Sequence, residues 1–317
     1  LFSNIDGNNN TASGYQALYE NTTGSYNTAS GNNTLYENIT GESNTASGYQ
    51  ALYKNISGSN NTASGYQALF SNETGVFNTA SGNSALYKNT TGYSNTASGN
   101  YALNKNTTGS RNTASGSEAL YENTTGKHNT ASGNSALSKN TTGNWNTAIG
   151  HAALQDNTTG SNNTAIGYNS DVSSGALTNA TAIGNGAIVN ASDKIRLGNA
   201  EITAIEGAVA FTTSSDRRLK KDIVDTRYGL NTILELRPVD YQMKSNNLEQ
   251  IGFIAQELRP IVPEAVSGIE GDLEKGETLS VAYTTLIPVL TKAIQEQQAL
   301  IENQQQSIEA QDKASQE

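Results

Sequence analysis

The chain of 317 residues contains no cysteine, so no disulfide framework and no thiolate metal site is available to it. Charge is scarce as well: 15% of residues are Asp, Glu, Lys or Arg, against about a quarter in an ordinary globular domain. No apolar run approaches the ~20 residues a membrane-spanning helix needs. The net charge of -10 leaves little room for a nucleic-acid partner, because the only basic cluster is Arg217, Arg218, Lys220 and Lys221. With two histidines, His128 and His151, and no clustered partner for either, there is no Ser-His-Asp set and no expected metal site. No phosphate loop or Asp-rich calcium loop occurs, and the scattered carboxylates such as Glu20, Glu37 and Glu122 single out no glycosidase pair, so no cofactor is expected.

What the chain has in abundance is Asn, Thr, Ser and Gly in a strict order. The pentapeptide NTASG, becoming NTAIG in its last two copies, starts at Asn10 and recurs every seventeen residues to Asn163. A period this regular means stacked units. Each unit reads as two short strand-like pieces separated by Gly, as at Gly14 and Gly24, with an Asn-Thr-Thr-Gly turn. Leucines from Leu18 to Leu154 fall in one column, as do Tyr19, Tyr36, Tyr53, Phe70, Tyr87 and Tyr121. In a parallel β-solenoid, strands of successive coils pair about 4.8 Å apart, so residues that pack on themselves are favoured at every coil. A helical reading fails, because Gly and Asn-Thr-Thr-Gly interrupt every unit.

The expected core is thin: one Ala of NTA plus an Ala-Leu pair per coil. Sharing it among three chains would increase the apolar area buried. A single-chain solenoid closed by its own coils is the alternative. Leu1 lies seventeen before Leu18, so the chain starts inside a repeat and further repeats are expected upstream.

Near residue 180 the period shortens to fourteen, the interval from Gly184 to Gly198. Here Ala182-Ile183-Gly184-Asn185-Gly186-Ala187 resembles the fourteen-residue coil of trimeric autotransporter adhesin heads. The longer unit is similar, with three residues inserted before its second Gly.

From Ser214 onward the repeats stop, and three blocks of ordinary composition follow. They are SSDRRLKKDIVDTRYGLNTILELRPVDYQ, IGFIAQELRPIVPEAV and LSVAYTTLIPVLTKAIQEQ. With SDxRxK, GFIAQEL and PEAV in this order, residues 214–298 resemble the endosialidase-type intramolecular chaperone of phage tailspikes and tail fibres. The resemblance implies a domain that helps three chains associate in register and is then removed by a serine-lysine dyad. It places the nucleophile at Ser215 and the base at Lys220, with Ser214, Asp216 and Arg218 as the supporting motif positions.

The chemistry is coherent: a serine hydroxyl needs a neighbouring base, and a lysine serves only if burial or nearby cations favour its neutral amine. Arg217, Arg218 and Lys221 are expected to supply such cations. On a helix, residues five apart point about 140° away from each other, so a turn must bring Ser215 and Lys220 together. Trimer assembly is expected to provide it. A five-membered ring brings the Ser214 carbonyl within reach of the Ser215 hydroxyl and favours cleavage between them; the resemblance leaves the Ser215–Asp216 bond as the other choice. A solvated hinge, or a chaperone that has lost cleavage, are the plain alternatives.

In the tail, Ile287, Ile294, Ile301 and Ile308 are seven apart, with Leu290, Gln297, Gln304 and Gln311 three residues after each. This is a heptad with apolar a and mostly Gln d positions, which suits a three-stranded coiled coil; a plain surface helix is the alternative.

The expected fold is therefore mainly β: a parallel β-solenoid shaft over 1–200, trimeric in expectation, a neck over 201–213, a mixed α+β chaperone domain over 214–286 and a helical coiled coil over 287–317. The expected function is the distal segment of a trimeric tail fibre or surface adhesin. It would lie on a virion tail or at the cell surface, facing a host-surface glycan or protein receptor. A glycan-degrading tailspike with its catalytic part upstream, or an ice-binding solenoid suggested by the Thr23, Thr40 and Thr74 column, are the alternatives.

Overall fold

The computed structural model describes residues 2–208, 212–244, 247–273 and 278–315. Leu1, three residues of the expected neck (209–211), six of the expected chaperone domain (245–246 and 274–277) and the last two of the expected coiled coil (316–317) therefore lie outside the described residues. The chain divides into two compact units, Leu1–Asn199 and Ala200–Glu317.

The first unit is a parallel β-solenoid of about eleven turns. Its sheet has twelve strands. They begin with β1 (Thr11–Ser13) and β2 (Thr28–Ser30) and recur every seventeen residues through β9 (Thr147–Ile149) and β10 (Thr164–Ile166), followed by β12 (Thr181–Ile183) and β14 (Ile195–Leu197). Pairing is parallel and in register, and from β1 to Thr130–Ser132 it sets Thr over Thr, Ala over Ala and Ser over Ser. In every strand of this sheet but β14, where Arg196 stands, the middle residue is an inward Ala, and from Ala29 onward it is buried. It joins the Leu18-to-Leu154 column and the preceding alanines, and these columns are closed from solvent within one chain. The single-chain solenoid, held above as the alternative, is thus sufficient to bury this core.

Each ordinary coil has one strand rather than the two short pieces expected. The cause is the backbone of the Tyr-Gln-Ala-Leu-Tyr segment, where Gln16 and Leu18 both have φ near +50° and alternate with residues of ordinary φ. This left-handed region costs roughly 1–2 kcal/mol for a residue with a side chain and is worse for a β-branched one. The column is accordingly Leu from Leu18 to Leu154, never Val or Ile. Where the next two positions are Asp171 and Ile188, the left-handed conformation is gone and a second short sheet forms, β11 (Asp171–Val172) with β13 (Ile188–Val189).

Two buried Asn ladders offset part of that backbone cost. Asn106 donates from Nδ2 to Asn89 Oδ1 at 2.7 Å and to Gly109 O at 2.9 Å, and its Oδ1 accepts from Asn123 Nδ2 at 2.8 Å. The same pattern runs from Asn4 to Asn157. In the second ladder, Asn95 Nδ2 donates to Gly109 O while its Oδ1 accepts from the backbone N–H of Asn112. Each side chain thus satisfies a corner of its own coil and a neighbour in the adjacent one, which is why a polar amide is tolerated in the core. Outside the core, Phe2, Tyr19, Tyr36, Tyr53, Phe70 and Tyr87 stack 5.0–5.2 Å apart. Asn104 ends that run.

The second unit comprises α1 (Leu230–Glu235), the antiparallel pair β15 (Val239–Gln242) and β16 (Glu249–Gly252), α2 (Ala255–Leu258), the antiparallel pair β17 (Val266–Gly268) and β18 (Leu279–Val281), and the long helix α3 (Leu286–Ala314). Its core is Leu258, Val262, Ala265 and Leu286, with Phe253, Ile261 and Val281 packed around it. Glu296 of α3 accepts from the N–H of Leu230 at 2.7 Å and so satisfies a free donor at the start of α1. Among the described residues, no helix is long and apolar enough to cross a membrane.

Candidate active site

The segment from Ser214 to Lys220 is built around Asp216. Its backbone is extended, and its Oδ1 accepts from the N–H of Arg218 at 2.8 Å, the N-cap pattern that starts a helical turn. One 3₁₀ turn follows over Arg217–Leu219, closed by Leu219 N–H to Asp216 O and by Lys220 N–H to Arg217 O, both at 3.1 Å. The Asp216 carboxylate also pairs with the Arg218 guanidinium, at 2.6 Å from Nη2 to Oδ2. That hydrogen bond holds the Asp216 carboxyl below the usual carboxylate range.

The turn returns the chain so that Lys220 Nζ donates to Ser215 Oγ at 2.7 Å. The two residues that a helix would point apart are thereby joined, and within a single chain. The turn expected from assembly is supplied locally by Asp216. The cation expectation changes in the same way, since the charge of Arg218 is engaged by Asp216. Ser214, Ser215, Asp216, Arg218 and Lys220 are all solvent-exposed in the single chain. The concavity lined by Asp240–Gln242 and Glu249–Ile251 includes neither Ser215 nor Lys220.

Residues 215–267 match the family model of the chaperone of endosialidase. No curated protein matches the chain.

The chaperone match opens at Ser215 and takes in SDxRxK, GFIAQEL and PEAV, and the structure gives a physical reason for the last two to occur together. Phe253 and Leu258 come from GFIAQEL, Ala265 and Val266 from PEAV, and all four share the small core of the second unit. Gly252 lies against the Tyr283 hydroxyl, where a Cβ would collide, and that same hydroxyl accepts from the N–H of Phe253 at 3.2 Å. Glu264 of PEAV accepts from Tyr228 Oη at 2.7 Å and pairs with Arg227 at 3.0 Å, tying the segment after the Ser215 turn to this core. The structural role of Asp216 was not read from the sequence, although an Asp just before Arg-Arg-Leu is a recognisable turn start.

In the shaft, His128 stacks on Trp145 at 5.5 Å and His151 on Tyr168 at 5.2 Å, each pairing with the aromatic ring one coil on. Thr23 and its column lie at exposed turn positions, whereas the outward faces of the strands carry a separate column from Thr11 to Thr130.

Proposed function

We propose that this chain is the distal part of a trimeric tail fibre whose C-terminal chaperone aligns three copies and is then released by cleavage beside Ser215. The observation that carries the reading is the Lys220–Ser215 hydrogen bond at the first residue of the chaperone match, directly after a β-solenoid shaft. A tail-fibre or surface-adhesin location, and a host-surface receptor for the shaft, follow from the same reading. So does an adhesin-head-like trimeric winding of the shaft.

In the proposed chemistry, neutral Lys220 accepts the Ser215 Oγ proton while Oγ attacks the carbonyl carbon of Ser214 through a five-membered ring. The C–N bond to Ser215 then breaks, Lys220 returns the proton to the departing α-amine, and the Ser214 acyl group is left as an ester on Oγ. Water hydrolyses that ester, leaving a shaft ending at Ser214 and a chaperone beginning at Ser215. Attack on the Ser215–Asp216 bond is the other side of the choice and would place the new N-terminus at Asp216.

For this role the hydrogen bond must reverse: in the uncut chain Nζ donates, whereas a general base must accept. Reversal requires a neutral amine, which burial favours. Lys220 is exposed in one chain, so the reading assigns its burial to neighbouring copies. Assembly then acts by drying a preformed pair, which makes cleavage report completed trimerisation. Asp216 and Arg218 hold the turn, and Ser214 supplies the scissile carbonyl. The α3 isoleucines, exposed at seven-residue spacing, suit a three-stranded coil among the released chaperones.

The test expresses the chain beside its Ser215→Ala and Lys220→Ala variants, with denaturing gels and native mass as readouts. Two fragments from the wild type and one full-length band from each variant are expected, all with trimeric native mass before cleavage. Identical bands from all three sink the self-cleavage reading, and a monomeric native mass sinks the trimer.

A further inference from the structure

The outward face of the shaft sheet changes character near its end. In β1 and in each strand through Thr130–Ser132, the third residue is an outward Ser. In β9, β10 and β12 that position is Ile149, Ile166 and Ile183, and in β14 the residue in register with Ile183 is Leu197. These four side chains form a line, one per strand, and remain 44, 40, 39 and 43% exposed, respectively. The inward middle residue is Ala in β9, β10 and β12, so the apolar residues on the outer side are additional to the core.

We propose that this stripe is the seam along which three copies of the chain meet at the end of the shaft. The proposal rests on the trimer reading above and adds the surface. Three observations commit the stripe to further copies of this chain. Its flanking strand positions, Thr147, Thr164 and Thr181, are uncharged, in a protein of net charge -10 whose copies otherwise repel. Its size argues against an independent partner: four side chains at about 40% exposure offer on the order of 300 Å² per chain, well below the ~800 Å² per partner of a standard stable interface. A seam that small suffices only for chains already held together elsewhere, and α3 of the same chain carries Ile287, Ile294, Ile301 and Ile308 exposed at heptad spacing. The apolar character also continues along the sequence beyond the stripe, in exposed Ile202 and Ile205. On this reading the stripe fixes the axial register in which the shafts leave the chaperone, while the Ser-bearing coils upstream contribute little attraction.

The absence of native cysteine makes the test clean. In the uncut Ser215→Ala background, Ile166→Cys and, as control, the exposed turn residue Thr159→Cys are treated with a short bismaleimide. Covalent dimers from Ile166→Cys and none from Thr159→Cys are expected. Equal cross-linking at both positions, or none at Ile166→Cys while the native mass stays trimeric, overturns the seam and leaves the trimer standing. A monomeric native mass overturns both. The triple variant Ile149→Ser, Ile166→Ser, Ile183→Ser carries at each site the residue that the upstream strands already tolerate, so its solenoid should fold. Its trimer is expected to dissociate at least about tenfold faster in denaturant, a difference of about 1.4 kcal/mol; an unchanged rate contradicts the proposal.

Discussion

Replacing Asn106 by Ala would remove a side chain that is fully buried and makes three hydrogen bonds. Gly109 O keeps its bond from Asn95, but Asn89 Oδ1 loses the donor that Asn106 supplied, and one of the two Nδ2 hydrogens of Asn123 loses its acceptor while the other stays on Gly126 O. One lost bond at about 1 kcal/mol and two more whose loss orphans a buried group at about 1–3 kcal/mol each give a loss of roughly 3–7 kcal/mol. Asn106→Asp should be worse still despite its equal size, because a carboxylate offers no proton to Asn89 Oδ1 or Gly109 O and places charge in the core. The exposed Asn100→Ala, in the same coil, should fall within about 0.5 kcal/mol of the wild type. Guanidinium unfolding followed by far-ultraviolet circular dichroism measures all three, and the comparison of midpoints holds even if the solenoid unfolds in segments. If Asn106→Ala and Asn100→Ala lose the same stability, the ladder is not what satisfies the core, and the account of the coil fails.

Leu103→Ile should cost about 2–3 kcal/mol, above the usual ~1.5 kcal/mol ceiling for such a swap, because φ at Leu103 is +50°; Leu258→Ile, in the ordinary helix α2, should stay under that ceiling, and equal losses contradict the explanation of the Leu column. Burial pushes the Asp171 carboxyl up to about 6, against opposing N–H bonds from Val172 and Asp156. A raised carboxyl contributes stability that is full below its unfolded value near 4 and lost as pH rises through about 6. The stability of the wild type relative to Asp171→Asn should therefore fall between pH 4 and 7, by at most about 3 kcal/mol. Parallel pH profiles of unfolding midpoints for the two proteins would contradict it. Lys220→Arg keeps a donor to Ser215 but removes a usable base, so the chain should stay uncut on gels at every pH; cleavage by this variant would remove Lys220 from the base role.

The shaft was legible because its period carries the geometry. Every seventeenth residue occupies the same place in the next coil, so the Ala, Leu, Tyr and Asn columns could be assigned from spacing alone. Hidden from spacing was the left-handed backbone at Gln16 and Leu18, which replaces the second expected strand and lets one chain close its own core. The invariant Leu was a signal for it, since a buried column free of Val and Ile is unusual for a sheet. At the site, the motif named Ser215 and Lys220 but gave no path between them. That path depends on Asp216 capping a turn of three residues, a local hydrogen bond that no periodicity reveals. The heptad isoleucines of α3 are exposed along a helix that buries Leu286, Val289 and Ala293, so the spacing of seven marks the free face of α3 and not the face that packs on its own chain.

A chain with this preformed pair should cut itself beside Ser215 once assembled. Intact-mass spectrometry of the purified wild type during incubation tests it most directly. The account predicts two products, a shaft ending at Ser214 and a chaperone beginning at Ser215, accumulating from a trimer and absent in Ser215→Ala. A single uncut mass in a confirmed trimer, or a break away from both bonds of Ser215, would contradict it.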